Sequence, residues 1–399
     1  MDATAHPDRL PDAARASLAT TPFGLYVHVP FCATRCGYCD FNTYTSDELG
    51  PGANRAEYAG TLVAELRRAA AVLGPEPPEV STVFVGGGTP TLLPAADLAA
   101  GLCAVGDLFP VAADVEVTTE ANPESVTPAS LAALREAGFT RISLGMQSAA
   151  EHVLAVLDRR HTPGRAVEAA HEARAAGFEH VNHDLNNGTH GETNDDWAAS
   201  LDAVLAAPVD HVSAYALIVE HGTRLARRVA RGELPMPDDD VLADRYEQAD
   251  RAFGAAGLGW YEVSNWARDR AARCRHNELY WANANWWGAG PGAHSHVGGL
   301  RWWNVKHPAA HAARVAAGES PAQDAELLDD DARALETVLL GLRLRDGLPL
   351  DRLSGAGRER AAEAVAGGLL DPAAHAAGRA VLTDRGRLLA DAVVRDLTD

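Results

Sequence analysis

The sequence predicts an α/β fold: a partial (β/α)6 barrel whose parallel strands curve without completing the circle. Strand and helix signals alternate from residue 24 to about residue 256, and repeated βα units favour parallel strands joined by right-handed helical crossovers. Counting strands from Gly24 to the one near Trp260 gives six or seven, which is short of a closed eight-stranded barrel. A loop with three cysteines follows the first strand, at the sheet edge where such folds place their sites.

The elements can be predicted in order along the chain. Residues 1–22 mix Pro, Asp and Ala without a hydrophobic face that could dock, so we expect a flexible leader. Residues 24–29 are predicted to form a buried strand, and apolar residues at helical spacing predict a helix from residue 55 to 73. Further strands are expected at 80–85, 115–119, 141–144, 180–185 and 211–217, with helices at 95–108, 128–137, 167–176, 197–206 and 241–256.

The composition of the chain changes after Gly288. A glycine-rich run and an Arg-Trp-Trp-Asn stretch lead to helical patterns that begin near Asp329. We therefore expect four parts: a leader (1–22), the barrel (23–290), a Gly/Trp-rich connection (291–329) and a small helical, winged-helix-like domain (330–399). Acidic residues throughout the last part favour a cap or a partner-docking role over DNA binding.

Composition limits the classes of partner. The 399 residues carry a net charge of −20, so a general basic surface for nucleic acid is not expected and an anionic membrane surface is disfavoured. No segment approaches the length of a membrane span or a signal-peptide core. Five cysteines, three of them clustered, favour a reducing cytoplasm.

The clustered cysteines are Cys32, Cys36 and Cys39, at spacings of four and three. Three thiolates on one side of a loop can hold an iron-sulfur cluster and leave one iron open to a small molecule. A zinc site would require a fourth local ligand, for which His28 before Pro30 is the nearest candidate. A disulfide would leave an odd cysteine and require an oxidising compartment.

The residues around this loop carry a resemblance to a known family. Cys-x-x-x-Cys-x-x-Cys after Tyr26-Val-His-Val-Pro-Phe31 resembles the radical S-adenosylmethionine (SAM) superfamily, and within it the branch of oxygen-independent coproporphyrinogen III oxidase. The similarity runs from about Tyr26 to the C-terminus. The oxidase pattern has a further cysteine two residues after the third, whereas this chain has Phe41. The chain is therefore similar to the heme-chaperone members of that branch.

The resemblance implies a [4Fe-4S] cluster on the three cysteines and SAM on its open iron. The glycines of Gly86-Gly87-Gly88-Thr89 end the second strand, where a missing Cβ lets the backbone approach a ligand, and this segment resembles the one that binds the SAM amino group. Polar residues at later strand ends complete the expected cofactor site, with an N-cap or solvated role as the alternative for each; they are Glu120, Gln147, Arg159 (or its neighbour Arg160), Asp184 and, from the first strand, Tyr26.

A second motif concerns heme. His276-Asn-Glu-Leu-Tyr-Trp281 resembles the His-Asn-x-x-Tyr-Trp motif that is associated with heme binding in the chaperones, and a neutral imidazole beside aromatic residues can be an axial ligand. The alternative is a histidine packed in an aromatic cluster with Trp281, Trp286 and Trp287. His294 and His296, on a glycine-rich stretch, are rival ligands.

Some residues depart from the family pattern: His183, Asn186, Asn187, His190 and His221. Buried polar groups without partners cost about 1 to 3 kcal/mol each, so these residues place SAM affinity in more doubt than the cluster. The expected function is a heme chaperone that passes heme to an acceptor protein and takes electrons from a donor, neither of which the sequence identifies. The alternatives are a coproporphyrinogen III dehydrogenase and a protein whose cluster is only structural.

Overall fold

A computed structural model describes residues 6–45, 49, 55–159 and 161–398. Within these residues the strands form one twelve-stranded sheet and one short two-stranded sheet. The strands of the large sheet are β1 (Phe23–Val29), β2 (Val80–Gly87), β3 (Val111–Ala121), β4 (Arg141–Gln147), β5 (His180–Asn187), β6 (His211–Ala216), β7 (Gly259–Glu262), β8 (Asn265–Ala267), β9 (Asn285–Ala289), β10 (His294–Val297), β11 (Leu300–Asn304) and β12 (Ala322–Leu327).

The large sheet has the order β12-β11-β10-β9-β1-β2-β3-β4-β5-β6-β8-β7. Strands β1 to β6 are parallel neighbours in chain order, and β9 pairs with β1 in the same direction. Antiparallel strands extend both sides of this parallel core. The arrangement confirms the predicted α/β partial barrel, since the carboxyl ends of β1 to β6 share one edge.

Helices connect the strands of the large sheet, and those from Asp330 onwards belong to a smaller unit with its own core. They are α1 (Asp12–Ser17), α2 (Arg55–Leu73), α3 (Ala95–Leu108), α4 (Pro128–Glu136), α5 (Glu151–Val156), α6 (Arg165–Ala175), α7 (Asn194–Ala206), α8 (Arg224–Ala230), α9 (Asp239–Ala255), α10 (Arg275–Trp281), α11 (Pro308–Ala316), α12 (Asp330–Gly341), α13 (Gly355–Ala366), α14 (Pro372–Ala376), α15 (Asp384–Leu388) and α16 (Ala390–Thr398). The predicted helices 55–73 and 95–108 have the predicted bounds, and the other predicted elements lie within a few residues of their positions.

The leader expected to be flexible over residues 1–22 is instead docked where it is described. Leu10 and Ala14 are buried in the main core, and the Arg15 guanidinium donates to the carbonyl oxygens of Val72 and Leu73 at 3.1 Å each. The short helix α1 has too few apolar residues for its sequence to predict this packing. Residues 1–5 lie outside the described part.

The stretch 291–329 is also more than a connection. It contains β10, β11 and β12, which continue the sheet beyond β9, and Trp302 packs edge-on against Trp287 in the core, with ring centroids 4.8 Å apart. Glycines and polar residues interrupt the apolar pattern here, so no strand was predicted. The stretch therefore adds an extra wing to the barrel sheet.

Residues from Asp330 onwards form a smaller helical unit with its own core. Its buried residues include Leu342, Leu370 and Val393, and β13 (Leu348–Pro349) pairs with β14 (Arg379–Ala380). Arg387 of this unit binds Asp250 of α9 at 2.9 Å and lies over the Trp260 ring. No helix in the described residues has both the length and the apolar character needed to cross a membrane.

Candidate functional site

The three clustered cysteines line one wall of a cavity of about 480 Å³ at the carboxyl edge of the parallel strands. Cys32, Cys36 and Cys39 are each half-buried, and burial raises the pKa of the Cys39 thiol to about 11. In the described residues, no three His, Cys, Asp or Glu side chains form a single-ion site. A cluster makes no such demand, because each of its irons takes a separate thiolate.

The glycine turn after β2 packs against the start of the cysteine loop. The Gly88 and Thr89 amides donate to the carbonyl oxygens of Val29 and Phe31, each at 2.7 Å. Gly87 has φ of +107°, and a Cβ there would lie 2.4 Å from the His28 ring. Only glycine fits this position, so the turn holds the cysteine loop and the cavity wall together.

Glu120 ends β3 and faces the cavity. Its Oε2 accepts a hydrogen bond from the Gly87 amide at 2.8 Å. Burial, together with the charge of Asp184, raises the pKa of Glu120 to about 7. The carboxyl group is therefore poised to ionise when a cation enters the cavity.

Asp184 lies within β5, three residues before the end of the strand, and faces the same cavity. Its two oxygens accept hydrogen bonds from Ser143 at 2.9 Å and from the Asn182 amide at 2.8 Å. Burial raises the pKa of Asp184, although these hydrogen bonds oppose the shift. Two carboxyl groups with raised pKa in one cavity favour a ligand that brings positive charge or hydroxyl donors.

Gln147 and Arg159 meet over Gly145. Gln147 has φ of +67°, and its Oε1 accepts from the Asn186 amide at 2.6 Å. Arg159 donates to the Gly145 carbonyl at 2.6 Å and approaches the Cys36 sulfur at 3.8 Å. Its Nε is buried without a hydrogen-bond partner among the described residues, so this cation can still bind an anionic group. Arg160, the neighbouring candidate, lies outside the described residues.

Most of the predicted site residues thus share one cavity. Those that line it are Cys32, Cys36, Cys39, Gly87, Gly88, Thr89, Glu120, Gln147, Arg159 and Asp184. Gly86 is next to it, where a Cβ would lie 2.8 Å from Glu120 Oε2. Tyr26 lies deeper in the barrel, with its hydroxyl 2.9 Å from Nδ1 of His28, so its expected contact with a cofactor stays a prediction.

Comparisons with known proteins identify the family. Residues 26–204 match the model of the radical SAM superfamily. The chain is 59% identical over 382 residues to the heme chaperone HemW of Mycobacterium tuberculosis, which covers 96% of each protein. The chain belongs to the HemW family of radical SAM proteins. HemW of Bacillus subtilis is 32% identical, over 82% of this chain and 85% of that protein.

A solved structure has the same fold. Coproporphyrinogen III oxidase (HemN) from Escherichia coli superposes with a TM-score of 0.81 over 96% of this chain and 92% of its own, at 22% identity. At this identity the match establishes the architecture alone. It supports the partial barrel and the additional helical unit as one shared fold.

In the structure, both ring nitrogens of His276, the expected heme ligand, already have hydrogen-bond partners. It is fully buried, and its Nδ1 and Nε2 lie 2.8 Å from the hydroxyls of Thr82 and Tyr280. Its ring stacks on Phe84 at 5.2 Å, and burial lowers its pKa to about 3. An iron could bind only by displacing one of these partners. The histidine is packed among aromatic rings, but these are Tyr26, Phe84 and Tyr280 and not the expected tryptophans. The axial-ligand interpretation does not fit this conformation.

The remaining motif residues are also occupied. Asn277 donates to the buried carboxyl of Glu262 at 3.3 Å, and Tyr280 packs edge-on against Trp286 at 4.7 Å. Helix α10 therefore closes the end of the barrel opposite the cysteine loop, next to Gly24 and Thr82 at the beginning of β1 and β2. The motif builds the barrel floor.

Two of the departures from the family pattern, Asn186 and Asn187, use their side-chain amides in hydrogen bonds. Asn186 binds Gln147, and the Asn187 amide donates to the Tyr215 carbonyl at 3.1 Å. His183 is buried under α6, which lowers its pKa to about 4. His190 and His221 are exposed. Asn186 thus supports a cavity residue, which the sequence pattern had marked only as an anomaly.

One supporting residue was missed. Asn42 follows the cysteine loop, and its amide nitrogen donates to the carbonyl oxygens of Pro291 at 2.9 Å and Lys306 at 2.8 Å. Its own carbonyl accepts from His28 Nε2 at 2.9 Å. No local pattern could have indicated contacts that span about 250 residues of sequence.

Proposed function

We propose that this protein is a heme chaperone: it binds heme, transfers it to an acceptor protein in the cytoplasm, and carries a [4Fe-4S] cluster with an exchangeable SAM. The observation that carries the proposal is the 59% identity, along 96% of both chains, to a protein named as a heme chaperone. Identity of that extent leaves little room for a different principal activity, because the match covers 96% of the relative's sequence.

Cys32, Cys36 and Cys39 are the proposed cluster ligands. Their thiols line one cavity, and the high pKa of the buried Cys39 thiol means that metal must displace its proton. The cavity of about 480 Å³ has the size expected for a small cofactor. When bound, the cluster and SAM would supply one-electron chemistry. The chain's own contribution is to bind, orient and shield them.

The proposed SAM contacts follow from the charges in the cavity. Glu120 and the glycine turn are placed to receive an ammonium group, because Glu120 is held toward that turn by the Gly87 amide. Arg159, with its unpartnered Nε, is placed to bind a carboxylate. Asp184 has both oxygens directed by Ser143 and Asn182, and it is the proposed partner of ribose hydroxyls.

The competing function is radical decarboxylation of coproporphyrinogen III, which the shared fold with HemN allows. Phe41 occupies the position at which the oxidase pattern has a cysteine, and its side chain is 55% exposed at the cavity rim. A side chain without a thiol there favours binding and transfer over the oxidase reaction. The electron donor and the acceptor protein are both proposed partners without an identity.

Two assays on anaerobically reconstituted protein test the function. Hemin-loaded protein should pass heme to a probe acceptor such as apomyoglobin faster than a mixture of hemin and a His-free control peptide does. Absence of heme binding or of transfer would refute the chaperone function. Incubation with SAM, dithionite and coproporphyrinogen III should leave the propionates intact. Decarboxylated product would establish the alternative instead.

Calorimetry tests the cofactor part separately. SAM should give heat with the reconstituted protein and none with a Cys32→Ala, Cys36→Ala, Cys39→Ala variant. No heat with the wild type would refute SAM binding.

A further inference from the structure

Strand β9 and the wing strands β10 and β11 continue the inner face of the barrel. Across the ladder, Gly24 of β1 pairs with Trp286, Trp286 pairs with His296, and His294 pairs with Trp303. Directly paired residues point to the same side of a sheet, and so do residues two apart on one strand. Trp286, His294 and Trp303 therefore share the face that carries Tyr26 and His28. We call these three residues, together with Lys306, the histidine shelf.

Within the histidine shelf, His294 is the residue whose ring nitrogens are available to a ligand. It is exposed, and among the described residues its ring nitrogens take part in no hydrogen bond or ion pair, although its carbonyl accepts from Trp286. By contrast, Nδ1 of His296 donates to the Ala284 carbonyl at 2.8 Å, and its Nε2 accepts from Gly299 at 3.0 Å. With His276 closed as well, His294 is the rival ligand that can bind metal without breaking a bond.

The imidazole of His294 is already oriented. Its ring is stacked on the Trp303 indole, with centroids 5.8 Å apart and planes 23° from parallel. Trp303 is itself half-buried, so it can restrict the imidazole without covering its edge. Partial burial, together with the charges of Lys306 and Arg301, lowers the pKa of His294. The neutral form, which is the one that ligates iron, is therefore favoured.

A free cation lies beside this ligand. Lys306 is the chain's single lysine, it is exposed, and within the described residues its ammonium pairs with no carboxylate. Arg301 lies on β11, two strands away from Trp286 on β9, and forms salt bridges with Glu326 at 2.9 Å and Glu336 at 2.6 Å. A planar macrocycle with carboxylate arms would thus meet one imidazole and one available ammonium.

We propose that heme docks on the histidine shelf, with His294 as the axial ligand of iron, Trp303 as the residue that positions its ring, and Lys306 as the partner of a propionate. This assignment rests on the proposed heme-chaperone function and names a site for it. An imidazole supplies the iron ligand and an ammonium the carboxylate pair, which together identify a metalloporphyrin better than an apolar ligand or a peptide.

The shelf also borders the cysteine loop. The Asn42 side chain donates to the Lys306 carbonyl at 2.8 Å, and the Tyr44 hydroxyl donates to the same oxygen at 3.3 Å. Two residues just after Cys39 thus hold the backbone that carries the shelf's cation.

The test is a hemin titration of the reconstituted full-length protein, followed by the Soret band and by ferric-heme EPR. In His294→Gly we expect the EPR signal of the imidazole-ligated heme to be lost and the Kd to rise by about tenfold or more, the equivalent of about 1.4 kcal/mol. Free imidazole should restore the signal by entering the space left by the side chain. His171→Gly, which removes an exposed histidine from α6, is the matched control and should bind as the wild type does.

Lys306→Ala adds a second readout. It should weaken hemin binding but leave the binding of hemin dimethyl ester unchanged, because the ester has no carboxylate to pair. Equal losses for both ligands would remove Lys306 from the site. Trp303→Leu should broaden the EPR signal of the bound heme, since the imidazole plane is no longer held.

The outcomes separate the shelf from the function. If the wild type binds no hemin, the heme-chaperone function itself fails. If it binds and His294→Gly binds equally, only the shelf is refuted. A His294→Gly loss that imidazole does not rescue, with unchanged circular dichroism, would also refute axial ligation, and a selective loss in His276→Gln with normal folding would move the ligand to the barrel floor.

Discussion

His276 Nδ1 and Thr82 Oγ1 lie 2.8 Å apart, and this hydrogen bond joins α10 to β2 at the floor of the barrel. The other ring nitrogen is held by the Tyr280 hydroxyl. Because the ring is fully buried, the motif histidine contributes to the stability of the fold whether or not it ever contacts heme.

Removing this side chain should therefore destabilise the protein. His276→Ala leaves two buried hydroxyls without their partner and opens a cavity beside Phe84, so the free energy of unfolding should fall by about 2 to 4 kcal/mol. Urea denaturation followed by circular dichroism measures it. His171→Ala on the exposed side of α6 should change stability by less than about 0.5 kcal/mol. Equal stability of the two variants would contradict the closed floor.

SAM binding should depend on pH through Glu120. With a pKa of about 7, this carboxyl is protonated at lower pH, and binding an ammonium then requires loss of the proton. The affinity should fall up to about tenfold for each pH unit below 7 and level off above it. Calorimetry between pH 6 and 8.5 measures the effect.

The matched variant for this pH dependence is Glu120→Gln, which should bind SAM more weakly and with a flat profile. Glu124→Gln, at an exposed carboxyl outside the cavity, should keep the wild-type profile. A wild-type profile that is flat from pH 6 to 8.5 would show that Glu120 does not pair with the ligand's cation.

Glu262 should make the fold less stable at alkaline pH. Burial raises its pKa to about 8, while in the unfolded chain a glutamate titrates near its usual value. Between these two values the folded protein binds the extra proton, so stability falls as pH rises, by up to about 1.4 kcal/mol per pH unit. Glu262→Gln should lose less stability than the wild type between pH 6 and 8 in urea denaturation. Parallel losses in both proteins would exclude this carboxyl as the cause.

The polar residues near the strand ends could be predicted because the sequence pattern of each strand also indicates where that strand ends. Glu120, Gln147 and Asp184 each follow a β-rich run, and parallel strands must bring their carboxyl ends to one edge. The glycine turn was readable for a similar reason, since the His28 ring leaves no room for a Cβ at Gly87. Local sequence is enough where the backbone itself determines the position of a residue.

The state of His276 could not be predicted in this way. The motif specifies residue types, but whether the imidazole can reach a ligand depends on what packs against it. Here this is Phe84, about 190 residues earlier in the chain, and Tyr26, about 250 residues earlier. The wing was missed for a related reason. Between Gly288 and Asn304 the glycines interrupt the alternation. These residues form strands because β9 pairs with β1, β10 with β9 and β11 with β10, and the local pattern does not contain this pairing.

Asn42 should determine how long the cluster survives. Its amide nitrogen holds the segment 291–306, its carbonyl oxygen holds His28, and a Cβ at Gly292 would lie 2.6 Å from its side chain. Asn42→Ala keeps the backbone carbonyl but removes both side-chain donations. The Pro291 carbonyl oxygen loses this donor, the Lys306 carbonyl oxygen keeps the Tyr44 hydroxyl, and the end of the cysteine loop is freed. We expect the fold to lose about 1 to 3 kcal/mol.

The cluster is the more sensitive readout. Its 400 nm absorbance should decay severalfold faster in air in Asn42→Ala, because a loosened loop admits solvent to the cysteines. Arg35→Ala lies in the same loop and is exposed, so it should decay at the wild-type rate. Equal decay in all three proteins would mean that the cysteine loop holds its shape without the 291–306 segment, and the contacts of Asn42 would then serve the barrel wing alone.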